Sequence, residues 1–431
     1  MTTTGWERVR AAPGDGGQLP TARGGAGVDV CNGSVYVFGG ASRDGRVLND
    51  LWALEVGASS TSKWRRAGSQ ENAPSERSGA TLTAVGGSRL YLFGGQDPRT
   101  GKCLNDMHCF SMSEGEGGAG TWRAVEPRGT GAPPSPRNEH TATFLPAPEG
   151  QGLGEGEGFL VVFGGGSPDA GQLNDVHVFS TREECWVEGV EVAGLPPARR
   201  EMHAAAWCGP DVGLVVHGGR AETGEVLGDA ARLWGFPTLQ NDVASGVPLE
   251  QRPWKLEWGQ AESTPYARCG HRGAGVPSLG LCLLSGGLSM TCPEDAECHA
   301  DVIRLGTQGD SKKLKASFAP GSRKGSVPPG RFSHGAALVN PGQGGVLSLA
   351  VMTGANFAED LADVAVCRVD AAALASGAED AAAHPAKASQ PSGLLDVTGR
   401  LVVGDLQGGS TDQLPDDYVS GDGSTFYFEE V

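Results

Sequence analysis

The sequence predicts an all-β fold in which six similar four-stranded sheets are stacked about one axis. Three observations predict it. Glycine makes up 69 of 431 residues, more than twice the usual share of about 7%, and turns and strand ends use glycine where helices tolerate it poorly. An apolar run that ends in two glycines recurs along the chain. A tryptophan follows most copies of that run at a similar distance.

The run appears as Val35-Tyr36-Val37-Phe38-Gly39-Gly40, Leu90-Tyr91-Leu92-Phe93-Gly94-Gly95, Leu160-Val161-Val162-Phe163-Gly164-Gly165 and Leu214-Val215-Val216-His217-Gly218-Gly219. A fifth copy is Leu281-Cys282-Leu283-Leu284-Ser285-Gly286-Gly287, and a decayed sixth is Leu349-Ala350-Val351-Met352-Thr353-Gly354-Ala355. Such short runs of Val, Leu, Tyr and Phe bounded by glycine read as buried strands. After a short loop each is followed by a turn ending in aspartate: Leu48-Asn49-Asp50, Leu104-Asn105-Asp106, Leu173-Asn174-Asp175, Leu227-Gly228-Asp229, His299-Ala300-Asp301 and Leu361-Ala362-Asp363. Asn and Asp bond their own backbone and close such turns. Trp64, Trp122, Trp186 and either Trp254 or Trp258 follow, the fifth copy offers Phe318, and Trp6 stands ahead of the first unit. An indole is a rigid apolar plate suited to the space between sheets.

A Pro-x-x-Arg signal precedes each copy: Pro20/Arg23, Pro74/Arg77, Pro134/Arg137, Pro197/Arg200, Pro265/Arg268 and Pro328/Arg331. In the last four a histidine stands three residues after the arginine, at His140, His203, His271 and His334. Each unit is thus a four-stranded antiparallel sheet that buries both faces only by stacking on its neighbours, with short protected edges. These units resemble kelch repeats, marked by the double glycine and the spaced tryptophan, over about residues 6–370. The arginine-to-arginine spacings are 54, 60, 63, 68 and 63 residues, at or above the roughly 50 expected of that repeat. The excess falls in loops at 113–120, 146–158 and 237–252. Six copies imply a six-bladed β-propeller over residues 1–370, and Trp6 implies that residues 5–10 close the last blade as its outer strand.

Residues 371–431 form a second region, with ten acidic residues against two basic ones. Ala371–Gln390 is alanine-rich and reads as a short helix or a linker. Leu394–Val397 and Leu401–Val403, flanking Thr398-Gly399, read as a hairpin. The region as a whole reads as an acidic, partly flexible extension or as a segment docked on the propeller.

Charge and cysteine usage narrow the function classes. The chain carries 34 basic and 51 acidic residues, a formal charge of −17, which disfavours phosphate-neutralising contacts with nucleic acid or anionic membrane. No apolar run approaches a membrane span. Met1-Thr2-Thr3-Thr4-Gly5-Trp6-Glu7 has neither a basic nor an apolar leader region, so secretion is not expected. Ten scattered cysteines read as reduced thiols of the cytoplasm, with the nucleus or a cilium as alternatives.

No catalytic, cofactor or metal constellation is expected. The four histidines read as satisfied strand residues rather than a metal ring. Cys292-Pro293-Glu294-Asp295-Ala296-Glu297-Cys298-His299 reads as an acidic loop, its cysteine spacing matching no common zinc pattern. The resemblance implies partner binding at the mouth built by the outer-to-inner loops and the loops after the double glycine. It nominates the ring arginines Arg23, Arg77, Arg137, Arg200, Arg268 and Arg331, and the post-glycine residues Arg43, Arg46, Arg99, Lys102 and Arg220. Guanidinium pairs with carboxylate bidentately, so such a set suits acidic peptides. The rival reading of the ring arginines is a bond within each blade, favoured by their presence in every one. The expected function is a non-catalytic scaffold that binds a partner protein or acidic peptide, in vesicle trafficking or a cytoskeletal assembly. The resemblance is to stand-alone kelch proteins, and the last repeat (Arg331-Phe332-Ser333-His334, then Thr353-Gly354) is similar to the Rab-GTPase effector type. A ubiquitin-ligase substrate receptor, a structural subunit of a cilium or ribonucleoprotein, and a metal-dependent kelch enzyme are the alternatives.

Overall fold

The computed structural model describes residues 4–14, 17–55, 62–68, 71–113, 120–147, 157–236, 254–292, 295–308, 311–340, 345–377, 394–395 and 401–402. Most of the three long loops and most of the acidic region lie outside these residues. Within them the chain forms six large sheets, antiparallel but for two added edge strands, and four two-stranded ones. From inner to outer strand, blade one is Gly27–Cys31, Ser34–Phe38, Leu51–Glu55 and Ser62–Arg66. Blade two is Thr81–Val85, Arg89–Phe93, Met107–Met112 and Gly120–Ala124. Blade three is Thr141–Pro146, Gly158–Phe163, Val176–Ser180 and Cys185–Trp186. Blade four is Ala204–Trp207, Leu214–Arg220, Val226–Trp234 and Trp254–Trp258. Blade five is Arg272–Val276, Leu281–Ser285, Val302–Gln308 and Ser311–Phe318. Blade six takes Gly335–Asn340, Val346–Met352 and Val364–Asp370 from late in the chain, and Gly5–Arg8 pairs on the outside of Val364–Asp370. The six-bladed propeller is therefore the fold.

The core is distributed between blades. Six apolar clusters each fill one inter-blade gap. The alternation along each strand sends successive side chains to opposite faces, and both faces of a blade are covered by its neighbours. Five gaps hold a repeat tryptophan. Each of these sits four residues past the turn aspartate in register: Trp64 opposite Leu54, Trp122 opposite Phe110, Trp186 opposite Phe179, Trp258 opposite Leu233 and Trp6 opposite Cys367. Trp258, not Trp254, is thus the repeat residue of blade four. In blade five the equivalent position opposite Leu305 is Ala316, and Phe318 lies two residues on, opposite Ile303. Phe318 is therefore not the counterpart of the tryptophans.

Trp6 is held more tightly than a strand end requires. It is 4% exposed, and its indole Nε1 donates to the Ser322 carbonyl at 2.7 Å. Its backbone exchanges bonds with Lys324 and Ser326 at 2.7 and 2.9 Å.

The outer edges are covered in a way the repeat does not announce. The linker entering a blade runs parallel along that blade's outer strand: Ala11–Pro13 on Ser62–Arg66, and Val190–Ala193 on Trp254–Trp258. Single parallel bridges do the same at Arg128 with Cys185 and at Gly325 with Trp6. An exposed strand edge invites pairing with other chains, and these segments blunt it.

Two rings of backbone bonds tie blade to blade. The second residue after each repeat arginine donates to its counterpart in the preceding blade: Gly79 to Gly25, Glu139 to Gly79, Met202 to Glu139, Gly270 to Met202, Ser333 to Gly270 and Gly25 to Ser333, all at 2.8–3.0 Å. This ring closes around the axis. All six residues sit at positive φ, from 47° at Ser333 to 67° at Gly79, a region that suits glycine and costs other residues about 1–2 kcal/mol. Half of the positions are nonetheless Glu139, Met202 and Ser333. In the second ring the second glycine of each pair donates to the arginine carbonyl of the next blade, as Gly40 does to Arg77 at 2.9 Å and Gly354 to Arg23 at 2.8 Å.

Beyond the propeller the helix Ala371–Ser376 is capped by Asp370, whose carboxylate accepts from the Ala373 amide at 2.7 Å. Leu374 is fully buried between blades five and six. Leu394–Leu395 pairs antiparallel with Leu401–Val402, and the rest of the expected acidic extension lies outside the described residues.

Two stability predictions follow from this architecture. Removing residues 1–12 lowers the melting temperature far more than removing 405–431, because only the first strips a blade; Trp6→Ala alone costs about 3–5 kcal/mol, read by denaturant unfolding. Equal melting temperatures for the two truncations would contradict the pairing at blade six. Ser333→Gly, at φ 47° with its buried hydroxyl unbonded, stabilises by about 0.5–1 kcal/mol.

Candidate functional site

Arg23, Arg77, Arg137, Arg200, Arg268 and Arg331 are all 0–3% exposed. Each turns into its own blade and pairs with the turn aspartate: Asp50 at 2.5 Å, Asp106 at 2.7 Å, Asp175 at 2.8 Å, Asp229 at 2.8 Å, Asp301 at 2.5 Å and Asp363 at 2.9 Å. Each Nη1 also donates to the carbonyl of the first residue of the glycine pair, Gly39, Gly94, Gly164, Gly218 and Gly286, or Thr353 in the decayed copy, at 2.9–3.0 Å. In four blades the arginine makes a fork to both carboxylate oxygens. These six guanidinium groups are consumed inside the blades. They do not line a mouth, and the expectation that they bind a partner is corrected: burial and a complete set of bonds leave them no free donor face.

Burial pushes the carboxyls of Asp50, Asp106, Asp175 and Asp301 up, yet the guanidinium bonds, with a bond from His108 foremost at Asp106 and one from His177 at Asp175, outweigh it and hold all four below the usual aspartate range. Loss of the aspartate is costly, because the buried guanidinium is then left unpaired.

The histidines are also internal. His140, His203 and His334 share bonds with Thr81, Thr141 and Ser285 of the preceding blade at 3.1, 2.9 and 2.9 Å, and His271 with His217 at 3.0 Å. Their rings lie against the first glycine of the pair: a Cβ at Gly94 would stand 2.9 Å from the His140 ring and one at Gly286 2.7 Å from His334. The glycine is required by close packing as well as by its φ. Burial is the main cause that holds all four below the usual histidine range, with His140 near 3.

The post-glycine residues divide. Arg43 bridges blade one to blade six, donating from Nη1 and Nη2 to the carbonyls of Ala358 and Asn356 at 2.7 and 2.8 Å, while its amide donates to Asp360 at 2.5 Å. It is a strut between loops, so its nomination as a free contact is corrected too. Arg220 pairs with Glu201 at 2.5 Å and is only 19% exposed. Arg46 and Arg99 are each 59% exposed, the first paired with Asp44 at 2.8 Å and the second with Glu76 and Asp97 at 3.0 and 3.2 Å. Exposed pairs of this kind contribute little to stability and open readily. Lys102 is exposed. Arg46, Arg99 and Lys102 thus form the accessible basic set, on the loops of blades one and two.

Sequence reasoning passed over Arg272. It begins the inner strand of blade five, four residues after the repeat arginine. The other blades hold Gly27, Thr81, Thr141, Ala204 and Gly335 there. It is half-buried, and its charge is felt at His140, His203, His271, His334 and Glu139, in blades three to six. As the first residue of an inner strand, opposite Ser285 beside the double glycine, it stands next to the axis at that end of the ring. Glu139, 5% exposed, faces the same space; burial pushes its carboxyl up and Arg272 opposes that. The signal available in the sequence was the break in a small-residue column. An apolar floor adjoins this mouth, built from Met202, Val226, Cys269, Leu288 and Phe332 with Met290 and Phe357 half-buried at its edge.

This is a closed ring of blades whose repeat residues are all structural and whose variable loops carry the accessible chemistry, a β-propeller of the repeat type. Its repeats and its fold are those of kelch-repeat propeller proteins. A family model described as the KLHDC2/KLHL20/DRC7 Kelch-repeats domain matches residues 1–150. The chain is 30% identical over 191 residues to the rat Rab9 effector protein with kelch motifs, covering 44% of each protein. It is 29% identical over 260 residues to mouse multiple epidermal growth factor-like domains protein 8, covering 57% of this chain and 8% of that one. It therefore spans less than half the length of these relatives. A solved structure described as the structure of YjhT superposes with a TM-score of 0.53 at 16% identity, over 80% of this chain and 95% of that one; this likeness concerns the fold alone. Among the described residues no helix is long and apolar enough to cross a membrane.

The buried histidines set a pH dependence. His140, His203, His217, His271, His299 and His334 are held neutral below their ordinary value near 6.5, chiefly by burial. The unfolded chain takes up those six protons as pH falls below 6.5, so their stabilisation is complete above that pH and is lost toward the folded values. Asp29, pushed up by burial to about 6, and Glu139 act oppositely. The histidines outnumber these two carboxyls, so unfolding takes up protons and stability falls as pH is lowered from 6.5. His203→Gln lowers the measured uptake by about one.

Proposed function

We propose that this protein is a non-catalytic interaction scaffold that binds an acidic segment of a partner protein at the double-glycine mouth. The observation that carries the reading is the division among its basic residues. The six repeat arginines are closed inside the blades, whereas Arg46, Arg99 and Lys102 stand exposed at the rim. Arg272 reaches the channel from the same end with no ion pair among the described residues. A carboxylate of the partner pairs with Arg272 at the axis, further acidic groups exchange with Asp44 and Asp97 at the rim, and apolar side chains rest on the Met290–Phe357 floor. Charge complementarity of this kind sets orientation and association rate more than raw affinity. The Rab9 effector and host cell factor of the fruit fly are relatives by sequence, which supports an interaction role without naming this chain's partner.

The test is capture from native extract followed by mass spectrometry. The intact protein is compared with Arg46→Glu/Arg99→Glu/Lys102→Glu and with Arg272→Ala, melting temperatures confirming folded variants. A stoichiometric partner lost by about tenfold or more in both variants supports the reading. A partner retained equally by both overturns it and moves the site to the opposite face.

A further inference from the structure

Blade five is the exception among the blades. Its gap with blade four is the one inter-blade cluster built without a tryptophan, because Ala316 stands, partly exposed, at the register position of the indole. Its outer strand Ser311–Phe318, eight residues long, pairs only with Val302–Gln308 among the described residues. The outer strand of blade two is likewise uncovered among those residues, but it is shorter, and its Arg123 is already tied to Glu184. The edge of blade five carries Lys312, Lys313 and Lys315 in sequence, with Lys313 and Lys315 exposed on one face and Leu314 buried on the other.

The chain leaves the propeller beside this blade. Arg304, from the strand next to that edge, donates Nε to the Leu374 carbonyl at 2.8 Å and pins the helix Ala371–Ser376 there. The stretch from residue 403 to 431 then holds seven acidic residues and no basic one. Its last eight residues, Ser424-Thr425-Phe426-Tyr427-Phe428-Glu429-Glu430-Val431, combine β-favouring side chains with charge opposite to the edge.

We propose that residues 424–431 add to the outer edge of blade five as a fifth strand. The alternation of a strand then matches chemistry on both faces. Phe426 and Phe428 project to the side of Ala316 and Phe318, where the blade lacks its indole. Tyr427 and Glu429 project to the side of Lys313 and Lys315. Main-chain bonds supply affinity and the alternating side chains supply register. The 46 residues between Gly377 and Ser424 span any route across the blade, and the tether raises the effective concentration to about the millimolar range. Blades one and four carry a linker strand at the same place, so the docked segment completes a pattern already present in the ring.

Hydrogen exchange tests this in the whole chain, without a partner protein. Outward amides of residues 313–317 are protected in the intact protein and exchange about tenfold or more faster after removal of residues 420–431. Glu429→Lys/Glu430→Lys, which leaves the propeller sequence untouched, does the same. A labelled peptide of residues 424–431 binds the truncated protein in trans and loses affinity about tenfold between 50 and 500 mM salt, as screening requires. It binds Lys313→Glu/Lys315→Glu of that protein as weakly. Unchanged exchange on truncation overturns the proposal. So does a truncated protein that dimerises with the edge still protected, since the occupant would then be a second copy. Neither result bears on partner capture at the double-glycine mouth.

Discussion

Six buried guanidinium groups, each paired with the turn aspartate of its blade, hold the structure together. Each one joins three parts of a blade that are far apart in sequence: the loop entering the inner strand, the end of the second strand and the start of the third. The arginine backbone, by contrast, bonds the preceding blade. Arg77 donates its amide to Leu48 and accepts from Gly40, while its side chain holds Asp106 and Gly94. One residue therefore fixes both the interior of its own blade and the seam with its neighbour. A buried charge without its partner would cost several kcal/mol, so the pair, the glycine and the turn aspartate must occur together. This explains why Pro-x-x-Arg, Gly-Gly and the aspartate turn recur as a set.

That constraint also decides what is left for function. A residue needed in every blade cannot easily serve one ligand, because its surroundings are already complete. The chemistry proposed for a partner lies where the repeat is broken: Arg272 in a column of small residues, Lys102, the exposed ion pairs of Arg46 and Arg99, and the apolar floor under blades four to six. The axial ring shows the same principle in its backbone. Glycine would satisfy all six positions, yet Glu139, Met202 and Ser333 are held there at positive φ. Residues in such sparsely populated regions persist only where their surroundings over-determine them, and here three of them ring the mouth proposed for binding.

The ring is also a device for sharing cost. Each blade alone would expose two apolar faces and one edge. The six clusters bury the faces, the entering linkers blunt several edges, and the pairing of Gly5–Arg8 with Val364–Asp370 ties the two ends of the array together. Blade five departs most from the pattern, with Ala316 in place of an indole and a lysine-bearing edge, and it is where the chain leaves the propeller.

The blade count, the strand order and the structural set of residues were legible in the amino-acid sequence, because each repeat encodes its blade through local signals that do not depend on distant residues. The double glycines, the turn aspartates and the tryptophans all stand where their spacing implied. The functional surface was not legible in the same way. Arg43 and Arg46 are three residues apart in one loop, yet the first is tied across to Asp360 of blade six and the second is exposed. The repeat arginines look like a basic ring in sequence and are buried struts in space. Which of Trp254 and Trp258, both buried in the gap between blades three and four, holds the repeat position depended on register, and Arg272 differs from Gly335, Ala204 and Thr141 at the same strand position. Local propensity writes the blade, while exposure and pairing arise only when the blades close into a ring, since burial is a property of the neighbours and not of the residue.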